Sequence, residues 1–496
     1  NVEQIKGSDC FRAAVYEHQY LGNKSVDKPN DIIQKNLLVY KQVANKAKQY
    51  GSNILVFPED GIIDPSYTRP IVSTFAERIP DPLKGVHNLC EKPDPLLPIT
   101  VALSCLARDN GMYIVADYGD RQDCTIGTDK HCPTDGYYLY NTAVAFDPRG
   151  ALVAKYHKRH LWSGGEHEYN TPVVTEFSYF DTPFGRIGLF ICFDANFGDP
   201  GTGLVARYGV KTMAFPTYWF DELPVRTAKH IQQGWSVNNR ANLLAATILV
   251  PETGSTGSGI YAGISGSLIS TDLTDRQSKL LIADIPVDSD NTRSSCLLPN
   301  NRYNKTIIIG QTKVVGNYKS LHPKSIAGTS LAQLTAANDT LNLCNNGLCC
   351  QLTYSTSSVM AAQPSLANES YWFLVANWSA SAQPTTFSIV GMCQEVCALI
   401  KCTDNTCATY ATGSAQTVFK SIKLTADRFT TNYTYPSAMA NDLSIVPNKY
   451  WTYDSQRKVG TKVSLSVTDF RQPLLGMSLF GRCFQRDLPF LVVDGN

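Results

Sequence analysis

Three residues of different chemistry each follow the end of an expected strand. Glu59 follows Leu55-Val56-Phe57-Pro58, Lys158 follows Lys155-Tyr156-His157, and Cys192 follows Gly188-Leu189-Phe190-Ile191. Each polar side chain is thus expected where a buried strand emerges from a sheet, the edge at which α/β proteins bind ligands. Together the three types form a reaction kit. A thiolate attacks a carbonyl carbon, and a nearby ammonium lowers the thiol pKa and stabilises the developing oxyanion. A carboxylate takes the thiol proton, hands it to a leaving amine, and then activates water. Each residue also has a plainer reading alone: a core or disulfide cysteine, a turn carboxylate after Phe-Pro, a solvated edge lysine.

The elements that must hold these residues are legible in outline. Apolar positions at Ile33, Leu37, Tyr40, Ala44 and Ala47 predict a helix over 31–50, with Asp31 as its cap and Gly51 at its end. A strand at 54–57 follows. A helix near 100–108 leads to a strand near 113–116, and the turns at 147–150 and 182–185 join further strands. A strand over 186–191, a helix near Leu204, a strand at 211–215, a helix over 228–239 and a strand at 243–250 complete the pattern. Helices mixed with buried strands predict an α/β domain over residues 1–290.

Beyond about residue 300 helical stripes fade, and β-branched or aromatic runs take over at 306–309, 371–375, 386–390 and 463–467. Nine of the fifteen cysteines lie between Cys296 and Cys483. Residues 291–496 are read as a β-rich, disulfide-braced domain without an acid–base–nucleophile cluster, contributing structure rather than catalytic groups.

Composition limits the function classes. The chain has 496 residues, well past the ~150 expected of one domain, with 43% hydrophobic and 18% charged residues. A net charge of +1 argues against nucleic-acid binding. No apolar run approaches the ~20 residues that cross a bilayer. Fifteen cysteines without paired Cys-x-x-Cys motifs point to disulfides in an oxidising compartment, and the odd number leaves at least one thiol over. Six Asn-x-Ser/Thr sequons (Asn23, Asn304, Asn338, Asn368, Asn377 and Asn432) are glycosylation candidates. The start without Met suggests a secreted chain whose signal peptide has been removed, and the polar end at Asp494-Gly495-Asn496 shows no GPI signal. Cys397, Cys402 and Cys407 recur every five residues, but no His lies near, so disulfides account for them better than a metal. His157 and His160 flank Lys158 and receive no catalytic role. No cofactor is expected.

At these same residues a family resemblance is visible. Phe57-Pro58-Glu59-Asp60, Tyr156-His157-Lys158 and Ile191-Cys192-Phe193-Asp194 resemble the Glu-Lys-Cys motifs of the nitrilase (carbon–nitrogen hydrolase) superfamily. Ala14-Val15-Tyr16-Glu17-His18, Phe215-Pro216-Thr217 with Trp219, Gly257 to Tyr261, Leu348 to Tyr354 and Leu479 to Arg482 resemble its vanin (pantetheinase) and biotinidase branch. The resemblance implies a four-layer αββα sandwich followed by a β-rich base domain. It further implies Glu59 as general base, Lys158 as oxyanion lysine, Cys192 as nucleophile and the Phe193 N–H as second oxyanion donor. Glu166 matches an orienting carboxylate, but one residue further from Lys158 than in the vanins, and an exposed loop carboxylate is the alternative.

Two departures from the branch stand out. Thr217-Tyr218-Trp219-Phe220 replaces a vanin-like Thr-Ala-Trp-Met, which could reshape a substrate pocket or could be core packing. Cys10, Cys296, Cys393 and Cys483 are additional cysteines, suggesting extra disulfides. The implied activity is hydrolysis of a linear carboxamide through a thioester, with pantetheine as the favoured substrate and a biotinyl amide second. A secreted glycoprotein that only binds a small molecule in the same pocket is the reading from another class.

Overall fold

Residues 13–17 are buried in succession because the strand Cys10–Glu17 has a layer on each face. Phe11, Ala13 and Val15 enter one core, while Ala14 and Tyr16 enter another. That is the two-residue period of a strand covered on both sides, which reads in sequence as a continuous apolar run. The computed structural model describes residues 9–63, 67–162, 165–223, 225–271, 276–310, 328–356, 369–378, 391–403, 407 and 415–488.

Cys10–Glu17 lies inside an eight-stranded sheet. The order is Asn304–Ile308, Lys279–Pro286, Cys10–Glu17, Ile54–Val56, Tyr113–Asp123, Tyr137–Phe146, Ala151–His157 and His87–Asn88. A six-stranded sheet faces it, ordered Ser267–Ser270, Gly259–Tyr261, Asn242–Thr247, Thr212–Thr217, Gly185–Leu189 and Tyr179–Thr182. The helices Pro29–Gln49 and Pro98–Asn110 cover the outside of the first sheet through Tyr40, Val43, Leu103 and Ala107. Leu204 and the Ala228–Asn239 helix, through Ile231 and Trp235, cover the outside of the second. The layers run helix, sheet, sheet, helix: the αββα sandwich.

The second region is two five-stranded sheets packed face to face. One is ordered Ser330–Gln333, Ser370–Trp378, Gln394–Cys402, Leu474–Arg482, Thr434–Ala440; the other Asn338–Asn345, Leu348–Thr356, Phe419–Ala426, Val463–Thr468, Trp451–Ser455. Phe373, Leu399 and Leu479 meet Leu352, Leu424 and Leu465 between them. The outer face of the first of these sheets closes over the Ala228–Asn239 helix, and all twelve residues of that helix are buried. The approach is close: a Cβ on Gly234 would stand 2.6 Å from Tyr435 Cβ.

Three local expectations change. The first helix begins at Pro29 with Lys28 as its cap, because proline suits the first helical position, and Asp31 sits in the first turn instead. The strand placed over 186–191 ends at Leu189, and a 3₁₀ turn, Cys192–Asn196, starts at the cysteine itself. Residues 304–308, read with the second region, pair with Lys279–Pro286 and extend the eight-stranded sheet. The strand expected at 386–390 lies outside the described residues.

Fourteen cysteines form seven disulfides: 10–296, 90–105, 124–132, 344–349, 350–397, 393–483 and 402–407. The four cysteines additional to the branch pattern pair among themselves, and Cys397, Cys402 and Cys407 are all accounted for. Only Cys192 is unpaired. So many disulfides fit an oxidising, extracellular setting. No helix among the described residues is long and apolar enough to cross a membrane.

Candidate active site

Glu59, Lys158 and Cys192 converge from three strand ends. Glu59 lies two residues past Phe57, whose N–H extends the parallel ladder to Val115 O at 2.9 Å. Lys158 follows Ala151–His157 directly, its own N–H bonded to Asn141 O at 2.9 Å. Cys192 opens the 3₁₀ turn with φ at 41°, a left-handed conformation that costs a non-glycine residue energy and survives where neighbours hold it.

Asp194 is one such neighbour. Its carboxylate accepts Ile191 N–H at 3.1 Å, Tyr156 O–H at 2.8 Å and His160 N–H at 3.0 Å, with His160 Nδ1 2.8 Å away. The motif around Lys158 is thereby tied to the motif around Cys192. Glu17, fully buried, does the same for two other segments, accepting from the Thr256 and Thr271 hydroxyls and the Gly257 and Ser258 N–H groups. His157 instead holds Asp120 at 2.8 Å and Glu176 at 2.9 Å, on the far side from the site.

The Lys158 ammonium is 1% exposed and donates to Glu59 Oε1 at 2.7 Å and Glu166 Oε2 at 2.5 Å. Glu166 is therefore a buried member of the site rather than an exposed loop carboxylate. Asn141, absent from the sequence reading, bridges the same two carboxylates at 2.9 and 2.8 Å. The N–H of Tyr218 fixes Glu59 Oε2 at 2.8 Å, and that of Trp162 fixes Glu166 Oε2 at 2.6 Å. Each carboxylate is held by two donors besides the lysine, Asn141 and the Tyr218 N–H for Glu59 and Asn141 and the Trp162 N–H for Glu166, so the acids and the ammonium have little freedom to turn.

Electrostatics follow from burial. Desolvation alone would push Lys158 down, but Glu166 and Glu59 outweigh it and hold its pKa well above the lysine range. Burial raises Glu166, with Lys158 opposing. Burial and then the Glu59 charge push the Cys192 thiol well above its ordinary value, and the lowering by Lys158 does not compensate. The ammonium lowers the thiol pKa as expected, but burial and Glu59 outweigh it. Burial and the neighbouring carboxylate disfavour the thiolate, so attack is served by a base that removes the thiol proton.

Cys192 opens into a cavity of about 210 Å³, whose lining includes Glu59, Lys158, Glu166, Phe193, Tyr218, Trp219 and Phe220. The aromatic wall is continuous: Tyr218 stacks on Phe220 at 4.8 Å, and Phe220 on Trp162 at 4.7 Å. Trp219 is different in kind, being 4% exposed and bonded through Nε1 to Arg226 O at 3.1 Å. Trp162, Asp60, Glu222 and Arg226 also line the cavity and were missed in the sequence. Asn141 left a trace there: it is the amide within the otherwise apolar or aromatic run Tyr137 to Tyr140 and Ala143 to Phe146.

A mostly apolar cavity holding a thiol, an ammonium and two oriented carboxylates suits acyl transfer from an uncharged carbonyl compound. The comparisons agree. Residues 12–288 match carbon-nitrogen hydrolase and residues 319–487 match the vanin C-terminal domain. The chain belongs to the carbon–nitrogen hydrolase family, in its vanin and biotinidase branch, and is an enzyme that hydrolyses amide C–N bonds. It is similar to a pantetheinase of Mus musculus, 33% identical over 97% of this chain and 90% of that one. It is similar also to a pantetheinase of Homo sapiens (30%, covering 98% and 91%) and a biotinidase of Bos taurus (30%, covering 96% and 93%). Among solved structures, a double mutant of an amidase from Nesterenkonia sp. AN1 in complex with acrylamide overlays only loosely, with a TM-score of 0.43 at 19% identity over 58% of this chain and 94% of that one.

Proposed function

We propose that this chain hydrolyses pantetheine to pantothenate and cysteamine through a thioester on Cys192. The observation that carries the mechanism is the single unpaired cysteine, set in a left-handed turn beside a buried lysine clamped between Glu59 and Glu166. Cys192 Sγ bonds to the amide carbon while Glu59 takes the thiol proton. The oxyanion that forms is stabilised by the Lys158 ammonium and the Phe193 N–H. Glu59 returns the proton to the departing nitrogen, the C–N bond breaks, and cysteamine leaves. Water then attacks the thioester carbon, giving its proton to Glu59, which passes it back to sulfur as pantothenate departs. Glu166 and Asn141 hold Lys158 and Glu59 in register.

The aromatic wall supports the choice of substrate. Tyr218, Phe220 and Trp162 narrow the cavity, which suits the slim pantothenoyl chain better than a bicyclic biotinyl group, and pantetheinases are among the relatives matched over nearly the whole chain. The test is kcat/KM for pantetheine against biocytin under one set of conditions. Pantetheine is expected to win by more than tenfold. Equal or better turnover of biocytin refutes the assignment, and failure of both with a reactive Cys192 favours a binding protein.

Secretion and glycosylation belong to the same proposal. Asn23, Asn304 and Asn338 are exposed. Asn377 and Asn432 are half-buried, and the Asn377 amide already donates to Asn346 O at 2.8 Å. Asn368 lies outside the described residues. Glycans are expected first on the three exposed sites, checked by mass mapping of the secreted protein.

A further inference from the structure

Resting on the reading of Cys192 as nucleophile, we infer that Arg482, in the C-terminal β-rich region, is a positioning residue for the hydrolase site: it holds the turn that carries Cys192 through the carbonyl of Asn196. The turn Cys192–Asn196 begins with a strained residue and ends at Asn196, which is 2% exposed. A strained nucleophile keeps its orientation only while its flanks are fixed. Asp194 fixes the centre of the turn from within the hydrolase unit. Its end is fixed by two arginines, one from each region.

Arg226, which lines the cavity, donates to Asn196 Oδ1 at 3.1 Å. Arg482, from the last strand of the second region, donates through Nε to the Asn196 carbonyl at 2.9 Å, across 286 residues of sequence. Arg482 is fully buried. A buried guanidinium is costly unless its donors are met, and here they are. Asp487 accepts a bidentate pair at 2.7 and 3.2 Å, and the Cys393 carbonyl accepts another hydrogen bond.

The group around Arg482 is rigid at its base. The Cys393–Cys483 disulfide ties the start of one strand to the end of its neighbour, and Asp487 also accepts the Cys393 N–H at 2.7 Å. Apolar contacts follow the same path. Met392 packs with Phe193 and Phe197, and Phe484 lies over Gly198, where an added Cβ would stand 3.2 Å from its ring. The charge, the disulfide and the apolar contacts all bear on residues 193–198. A clamp that only joined two domains would have no reason to close on the nucleophile's own turn.

The experiment uses the full chain with Arg482→Lys, which keeps a cation for Asp487 and loses the planar fork that reaches both Asn196 and Cys393. Phe484→Ala is the second variant, since it removes no buried charge and serves if the lysine variant fails to fold. Measured are Tm, kcat, KM and the rate at which iodoacetamide alkylates Cys192. Expected for Arg482→Lys is a fall in kcat on the order of 10²-fold, with KM changed little and alkylation slowed. Phe484→Ala should show the same pattern at smaller amplitude. If both variants lose Tm while kcat and alkylation stay within about twofold of the parent, Arg482 is only an interface residue and the inference is overturned. Cys192→Ala is run in parallel. Activity surviving in that variant refutes the nucleophile itself, whereas an inactive Cys192→Ala beside a fully active Arg482→Lys refutes only the clamp.

Discussion

The two regions bury charge in opposite ways. In the αββα unit, Glu59, Asp60, Asp117 and Glu166 crowd around one lysine at the mouth of the sheets. In the β-rich region the core between the sheets is Leu, Val and Phe, while buried charges such as Arg482 and Glu395 stand toward the edge that meets the hydrolase unit. A carboxylate cluster of the first kind is poor for stability, because one ammonium cannot satisfy four acids and the desolvation cost is large. Such an arrangement is expected where reactivity is selected. The second region has no comparable cluster among the described residues, and its buried charges Arg482 and Glu395 are each paired with one partner, Asp487 and Arg486. The difference teaches where chemistry resides and where stability resides, and it can be tested from both sides.

The largest effect should come from the reactive side. Cys192→Ala is expected to lower amide turnover by several orders of magnitude with Tm nearly unchanged, measured by steady-state kinetics and thermal unfolding. Loss of fold instead of activity would erase the contrast between the regions. Lys158→Met should do both kinds of damage. It removes the oxyanion donor and leaves Glu59 and Glu166 facing each other without a cation, a loss of about 3–5 kcal/mol in the unfolding free energy. Glu59→Gln separates the proton roles: amides should suffer more than activated esters, because an amine leaving group needs a proton. Equal loss on both would contradict the role of Glu59 as donor.

Disulfides sharpen the comparison from the other side. Cys10–Cys296 closes 286 residues and Cys344–Cys349 closes 5. By loop entropy, removing the first pair should cost about 5.6 kcal/mol and the second about 2 kcal/mol, with kcat unaltered in each folded variant. Denaturant titration reads both.

The smallest predicted effect is a pH dependence at His157, which faces Asp120 and Glu176, with Lys155 also on Asp120 and Tyr140 against its ring. Burial would lower its pKa, but the two carboxylates outweigh burial and raise it. A raised pKa means stabilisation that is complete below the ordinary histidine range, about 6.5, and is lost as pH climbs through the raised value. The Tm of the parent should therefore fall toward that of His157→Gln as pH rises above neutrality. A Tm difference that is flat across that window would remove the charge from the account.

Much of this molecule was legible from its residues. Hydrophobic period and turn chemistry located the strands ending near Glu59, Lys158 and Cys192, and the helix over 228–239 was placed to the residue. The odd cysteine count announced a free thiol, and that thiol is Cys192. These signals are local, since a strand's period and a turn's composition depend on neighbours a few residues away. What tertiary structure alone decided is who meets whom. The Ala228–Asn239 helix carries Lys229, His230, Gln232, Gln233, Asn238 and Asn239, yet it is buried all round because a second region closes over it. Asn141 becomes the bridge between two carboxylates because the fold brings Glu59, just past the strand Ile54–Val56, and Glu166, in the loop after Ala151–His157, to its amide from 82 and 25 residues away. Arg482 reaches Asn196 because two sheets dock on one helix. Hydrogen bonds and ion pairs are satisfied by whatever the fold brings within 3 Å or so, and no period in the chain records a partner hundreds of residues distant.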